Sequence, residues 1–482
     1  MKIPHSLLPA RAFGARRFSA APSVAAGFCS EATVAAWWHE SKGRLLGRLS
    51  VLGATRGALW EALDRFVSER KTVKKHEFER CVKDFRKFRR FHHAFEILHW
   101  MENRGMVLSY PAIAIRLDLT SKTQGIAAAE SYFDGLPPSA RNQLTYGALL
   151  NCYCEEELAE KALSLFLEMD QIGWANHMAF NSLMSLYLRV GQPGKVPYLI
   201  SEMKRRDIFP TTFTYVYWMS SCACLNDIEG AERVAALIEK ENERTANWTI
   251  HSNLAAIYVK AGSFEKAKMV LKKIEDMRPR NRMAYHLLIS LYAKTSNLDA
   301  VNRVWNALKS KFRRVNMSYL AMLHALAELD DVNGLKDCFE EWVSWCFIFD
   351  LRLVNVAMRA YLKWHMLKDA QQVFHLATER SLDPFSTEAA VTESRTCEWQ
   401  PDRDIVEEFF HCFEAKKDTE GAEELCRMLK KINCLDSGSY ESLIKVYLSA
   451  GRAVPDMHHR VEQDGVVISS DLENLLHLVS GM

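Results

Sequence analysis

Apolar residues return at three- and four-residue steps through most of this chain. In KALSLFLEM they are Ala162, Leu163, Leu165, Phe166 and Met169, the stripe of a helix with one buried face. Turn signals interrupt these stripes at Gly191 and Pro193, Asp227, Gly262 and Asn297, so the helices are short and numerous. No segment sustains the period-two alternation of a half-buried strand, which argues against a sheet.

The stripes themselves repeat. Related segments such as LTYGALLNCYC, AFNSLMSLYLR, IHSNLAAIYVK and AYHLLISLYAK place equivalent residues at Glu79, Ile113, Gly147, Asn181, Val216, Ser252, His286, Leu320 and Asn355. The steps are 34, 34, 34, 35, 36, 34, 34 and 35 residues. Six residues beyond each lies a bulky column: Phe85, Leu119, Tyr153, Tyr187, Cys222, Tyr258, Tyr292, Leu326 and Tyr361. Fifteen residues beyond lies a small or aliphatic one: Ala94, Ala128, Ala162, Val196, Ala231, Ala267, Val301, Leu335 and Ala370. The bulky side chain packs in a first helix, and the small one lets a second, antiparallel helix approach closely. One such pair buries too little apolar surface to stand alone, so the pattern predicts an all-α solenoid of stacked pairs with its function along a face. Past Asn355 the ruler breaks. The next matching residue is Glu407, with Phe413 and Ala422 as its markers, and then Glu441 with Tyr447.

The best stretch, FNSLMSLYLRVGQPGKVPYLISEMKRRDIFPTTFTY from Phe180 to Tyr215, resembles a pentatricopeptide repeat. It has an aromatic-Asn-x-Leu opening, a Met-Lys end to the second helix and an Ile-x-Pro before the next Thr-Tyr. The resemblance is to plant mitochondrial members of the P subfamily, and it implies a right-handed superhelix of helix-turn-helix units. The expected organisation is a transit peptide over 1–30, a helical cap over 31–74 and nine repeats over 75–384. An irregular loop or decayed repeat over 385–402, two degenerate repeats over 403–455 and a C-terminal cap over 456–482 follow.

Composition adds an address. The first 30 residues hold Lys2, Arg11, Arg16 and Arg17 and no acid before Glu31, in a setting rich in Ala, Ser and Phe. That fits a transit peptide for the mitochondrial matrix, with plastid less favoured because of the arginines. Without this segment, 58 basic residues face 60 acidic ones, so any nucleic-acid binding must come from local patches. No apolar run approaches the roughly 20 residues that span a bilayer. The 12 cysteines include no CxxC pair and no zinc spacing, which leaves reduced thiols and no metal or cofactor site as the expectation.

The resemblance implies binding of single-stranded RNA, one base per repeat, read by the fifth residue and the last residue of each repeat. Carried over, the pairs run Glu79/Leu108, Ile113/Asn142, Gly147/Asn176, Asn181/Thr211, Val216/Asn247, Ser252/Asn281, His286/Val315 and Leu320/Asp350. Ser252/Asn281 looks like an adenine reader and Asn181/Thr211 like a pyrimidine reader, while Asn355 opens a third site. The other pairs contain an apolar, acidic or glycine member and lack two base-edge hydrogen bonds. A separate phosphate candidate is the basic run between Arg70 and Arg90, with ten Lys or Arg against three acids. Its residues Arg86, Lys87, Arg89 and Arg90 suit an RNA backbone, and the plain alternative is a solvated helix face. No phosphate loop, HExxH or deaminase motif is present. The expected function is a non-catalytic organelle RNA-binding factor in transcript processing, stability or translation. The alternative is a protein scaffold or a structural subunit of the mitochondrial ribosome.

Overall fold

The structure is a computed structural model that describes residues 45–50, 56–69, 74–241, 248–346, 349–382, 399–454 and 456–480. Residues 1–44 and 383–398, which carry the expected transit peptide, the start of the cap and most of the irregular segment, lie outside the described residues. Every described element is helical, and none of these helices is long and apolar enough to cross a membrane. The chain divides into two compact units, residues 1–284 and 285–482.

In the first unit, Leu45–Ser50 and Arg56–Ser68 pack on the first repeat and share its core through Leu49, Leu59, Leu63 and Phe66. Helix pairs follow. Lys75–Lys87 pairs with Phe91–Asn103, Tyr110–Gln124 with Ile126–Asp134, Gln143–Glu155 with Ala159–Gln171, and His177–Arg189 with Val196–Arg205. Thr212–Cys224 pairs with Ile228–Glu241 and Trp248–Lys260 with Phe264–Asp276. The first helices from the second repeat to the sixth pack side by side in one layer. In the second unit, Leu298–Lys311, Asn316–Glu328 with Val332–Trp345, and Leu351–Lys363 with Leu367–Leu382 continue the pattern. Leu351–Lys363 packs directly on Arg403–Lys416, which pairs with Thr419–Lys431 and stacks on Ser437–Ala450. The first-helix layer is therefore unbroken across the gap in the ruler.

The two sequence columns have the predicted roles. All nine bulky residues are buried, and Ala162, Val196, Ala231, Ala267, Val301, Leu335 and Ala370 are wholly sealed at the helix–helix contact. The second repeat departs from the ruler by one residue. Its first helix starts after Ser109, whose hydroxyl accepts the Ala112 N–H, and not after Leu108. Leu108 is buried instead, and Ala129 replaces Ala128 as the sealed small residue. A polar N-cap satisfies an orphan N–H that a leucine leaves open, so capping outweighs strict spacing here.

Each turn within a pair is made by one residue in the left-handed region. In the first repeat it is Arg89, followed in order by Gly125, Glu157, Gly191, Asn226, Gly262, Ser296, Asp330, His365, Lys417 and Gly451. Most of these are not glycine, so the tight turn is held by the packing on either side at a cost of about 1 kcal/mol per turn.

Candidate nucleic-acid interface

The fifth residue of each first helix, the residue that caps it, and its second and thirteenth residues define the candidate face. On an α-helix, positions 2, 5, 9 and 13 fall within roughly 80° of one another. Asn181, Ser252 and Asn355 are each the fifth residue of their helix. Glu407 and Glu441 hold the same place in the two later helices.

Among the described residues, the last residues Asn142, Asn176, Thr211, Val315 and Asp350 are each the N-cap of the next first helix, and Ser109 takes that place from Leu108. Asn142 Oδ1 accepts from Leu144 N and Thr145 N, and Asn176 Oδ1 accepts from Met178 N and Ala179 N at 2.9 and 3.1 Å. Asn281 Oδ1 accepts from Met283 N at 3.0 Å. Capping consumes the oxygen and leaves the amino group as the outward donor, so an asparagine cap satisfies the helix and still offers a hydrogen bond.

The structure brings one candidate pair together and separates another. Asn181 Nδ2 lies 3.4 Å from Thr211 Oγ1. Ser252 is 6% exposed, and its hydroxyl donates to Thr249 O in its own helix at 2.9 Å, away from Asn281. No hydrogen bond joins Ser252 to Asn281, which remains exposed at the helix start. Asn355 has its oxygen sealed from solvent without a hydrogen-bond partner. The capping place of the following helix is taken by Asp402, whose carboxylate is gripped by Arg359 at 2.6 Å. In the first repeat, Glu79 accepts from Ser109 Oγ at 2.9 Å, so Ser109, and not Leu108, is its neighbour.

The basic candidates also divide. Arg86 reaches Asp118 at 2.8 Å, and Lys122 reaches the other oxygen of the same shielded carboxylate at 2.6 Å. Lys87 lies 3.4 Å from Asp84. Arg89 is exposed in the turn, and Arg90, half-buried, starts the second helix. Arg86 and Lys87 are therefore engaged within the protein.

Two further columns were not found by sequence reasoning. The thirteenth residue of the first helix is a cation in the first, second, fourth, sixth, seventh and ninth repeats: Lys87, Lys122, Arg189, Lys260, Lys294 and Lys363. A cation also suits the negative end of a helix, which accounts for part of this preference. Lys363 is tied to Asp330, which it holds below the usual carboxylate range by hydrogen bonding, whereas Lys294 is exposed. The second residue gives an apolar column: Leu144, Met178 and Phe213 are 51, 66 and 45% exposed. Tyr110, the first residue of the preceding helix, is 51% exposed beside them. Both columns are visible at fixed offsets from the ruler, three before and eight after its residues, except that the slip in the second repeat puts Lys122 nine after Ile113.

Among the described residues, no group of three or more His, Cys, Asp or Glu side chains gathers as a metal site would require. Buried thiols are pushed up by burial, Cys152 and Cys338 to about 12, which keeps them protonated and unreactive.

Comparison with known proteins completes this description. The model of the PPR repeat matches residues 144–174, and that of the PPR repeat family matches residues 175–224. A mitochondrial pentatricopeptide repeat-containing protein of Arabidopsis thaliana is 43% identical over 463 residues, covering 90% of this chain and 86% of its own. The Arabidopsis thaliana large ribosomal subunit protein mL101 (rPPR4) is 33% identical over 464 residues, covering 90% and 94%. Among solved structures, maize PPR10 in complex with an 18-nt psaJ RNA element aligns at a TM-score of 0.45 and 16% identity, with 90% of this chain and 60% of that chain covered. With 43% identity to a mitochondrial member across nine-tenths of its length, this chain belongs to the pentatricopeptide repeat family and is a mitochondrial protein.

Proposed function

We propose that this protein binds single-stranded RNA in the mitochondrial matrix along the first-helix face, without catalysis, in transcript processing, stability or translation. The observation that carries the reading is that three chemistries share one helical face and meet in the fourth repeat at Met178, Asn181 with Thr211, and Arg189. Exposed apolar residues at the second position, Leu144, Met178 and Phe213, suit stacking on bases. Polar residues at the fifth and capping positions, Asn181 with Thr211 and Asn281, suit base edges, with Ser252 and Asn355 contributing only after a side-chain turn. Cations at the thirteenth position suit phosphates, joined by Arg89 and Arg90, with Arg86 and Lys87 partly spent on Asp118 and Asp84. In this reading 1–30 is a cleaved leader, 31–74 and 456–482 cap the ends, and 75–384 and 403–455 are the working repeats around the segment 385–402.

The ribosomal relative supports a second reading, a structural subunit of a large mitochondrial complex. The test is sedimentation of the tagged protein from mitochondria with and without ribonuclease. The RNA-binding reading expects release to a slow-sedimenting form after digestion and direct binding of a labelled 20-nucleotide RNA by the purified protein. Retention in one fast-sedimenting particle together with no binding of free RNA would replace it with the structural reading.

A further inference from the structure

We infer that Thr214 is a positioning residue that decides which pyrimidine Asn181 accepts, by fixing the orientation of the Asn181 carboxamide from the neighbouring repeat. The inference rests on the reading of this face as an RNA site.

Thr214 is the third residue of its helix and is fully buried. Its oxygen accepts the Thr211 N–H at 3.0 Å and lies 3.1 Å from Thr211 Oγ1. Its own hydroxyl proton goes to Asn181 Oδ1 at 2.8 Å. With that proton spent, the proton in the Thr211–Thr214 contact comes from Thr211, whose oxygen in turn accepts from Asn181 Nδ2 at 3.4 Å. The three side chains close a ring in which every hydrogen bond runs in one direction, an arrangement in which each bond strengthens the next. The ring orients the amide, with its oxygen toward Thr214 and its nitrogen toward Thr211.

Helix capping does not require this. Two repeats earlier, Thr145 occupies the same third position in a capping box closed there by Asn142, but the fifth residue of the preceding first helix is the apolar Ala114. There the Thr145 hydroxyl returns to Ala140 O at 2.9 Å, within its own turn. One other repeat carries a polar pair at these places, His286 Nε2 and Ser318 Oγ, 2.9 Å apart, whereas Ser252 is followed by Ala284 and Asn355 by Ile405. The contact from Thr214 to Asn181 is thus an inter-repeat device added to the cap.

A carboxamide of fixed orientation presents its donor and acceptor in a fixed order. Uracil offers N3–H and O4, and cytosine offers N3 and N4–H, the reverse order on the same edge. An amide that is held tells the two apart, and one free to flip by 180° accepts both.

The experiment is selection of a randomised 20-nucleotide RNA pool by the purified protein, followed by sequencing of the bound fraction. Wild type should discriminate U from C about fivefold at one position, the worth of one hydrogen bond. Thr214→Ser should keep that preference, Thr145→Val should leave it unchanged, and Thr214→Val should equalise U and C at that position alone. Should Thr214→Val not fold, Asn181→Asp removes the amide donor and should abolish the same preference. Retention of the wild-type U/C ratio by Thr214→Val or by Asn181→Asp overturns the inference, as does a wild type that binds the pool yet nowhere separates U from C. A wild type that binds no RNA instead removes the proposed function beneath it.

Discussion

The two sets of cations on the first-helix face make opposite demands on a salt titration. Neutralising Lys260, Lys294 and Lys363 with glutamine removes three charges of the thirteenth-residue column. Each phosphate contact on a single strand contributes about 0.7 to the slope of log affinity against log salt. With Lys363 already held by Asp330, the lost contacts flatten that slope by about 1.5. Between 50 and 200 mM salt the triple variant should therefore lose roughly 8-fold less affinity than wild type. Neutralising Arg86 and Lys87 should flatten the slope by less than about 0.7, because Asp118 and Asp84 already engage those charges. The assay is fluorescence anisotropy with a labelled 20-nucleotide mixed-sequence RNA at several salt concentrations. A flattened slope in the Arg86/Lys87 variant with an unchanged slope in the triple variant would refute the role of Lys260, Lys294 and Lys363 and return the backbone footprint to the basic run.

Two further outcomes test the fold and its turns. Arg89→Gly should stabilise the protein by about 0.5 kcal/mol against urea, since glycine tolerates the left-handed turn at φ 58, while lowering RNA affinity; destabilisation would contradict the assigned backbone. Glu232 accepts from Lys266 at 2.8 Å and from Tyr258 at 2.7 Å, hydrogen bonds that hold its carboxyl below the usual range. A depressed carboxyl stabilises the fold above its unfolded pKa of about 4.3 and loses that contribution as pH falls through the folded value. Glu232→Gln should then cost about 0.5 kcal/mol at pH 7 and progressively less below pH about 4, followed by urea unfolding; a cost that grows toward acid would reverse the assignment.

Much of the architecture was legible because packing imposes it on every repeat alike. A sealed alanine such as Ala231 or Ala267 is needed wherever two helices touch, so the small column survives even where reader positions vary. The register through Glu407 and Glu441 was legible for the same reason. The slip at the second repeat was not, because it turns on whether Leu108 or Ser109 offers an oxygen to the helix start, a local choice that periodicity ignores. The site was harder to read. Charge state along a sequence says nothing of pairing, and Arg86 meets Asp118 only when two repeats stack. Ser252 has the right identity at the right position, yet its hydroxyl bonds back to Thr249. The link from Asn181 to Thr214 spans 33 residues and depends on which hydroxyl donates.

On the proposed RNA-binding reading, the residue that caps a first helix serves two masters. Asn142, Asn176, Thr211 and Asp350 all stop a helix from fraying at its amino end, and Val315, which has no side-chain oxygen, does not. Any evolutionary retuning of this protein toward a new transcript is thereby confined at these places to a vocabulary of four or five amino acids. A lineage that strays outside it forfeits a letter and a hinge pin together.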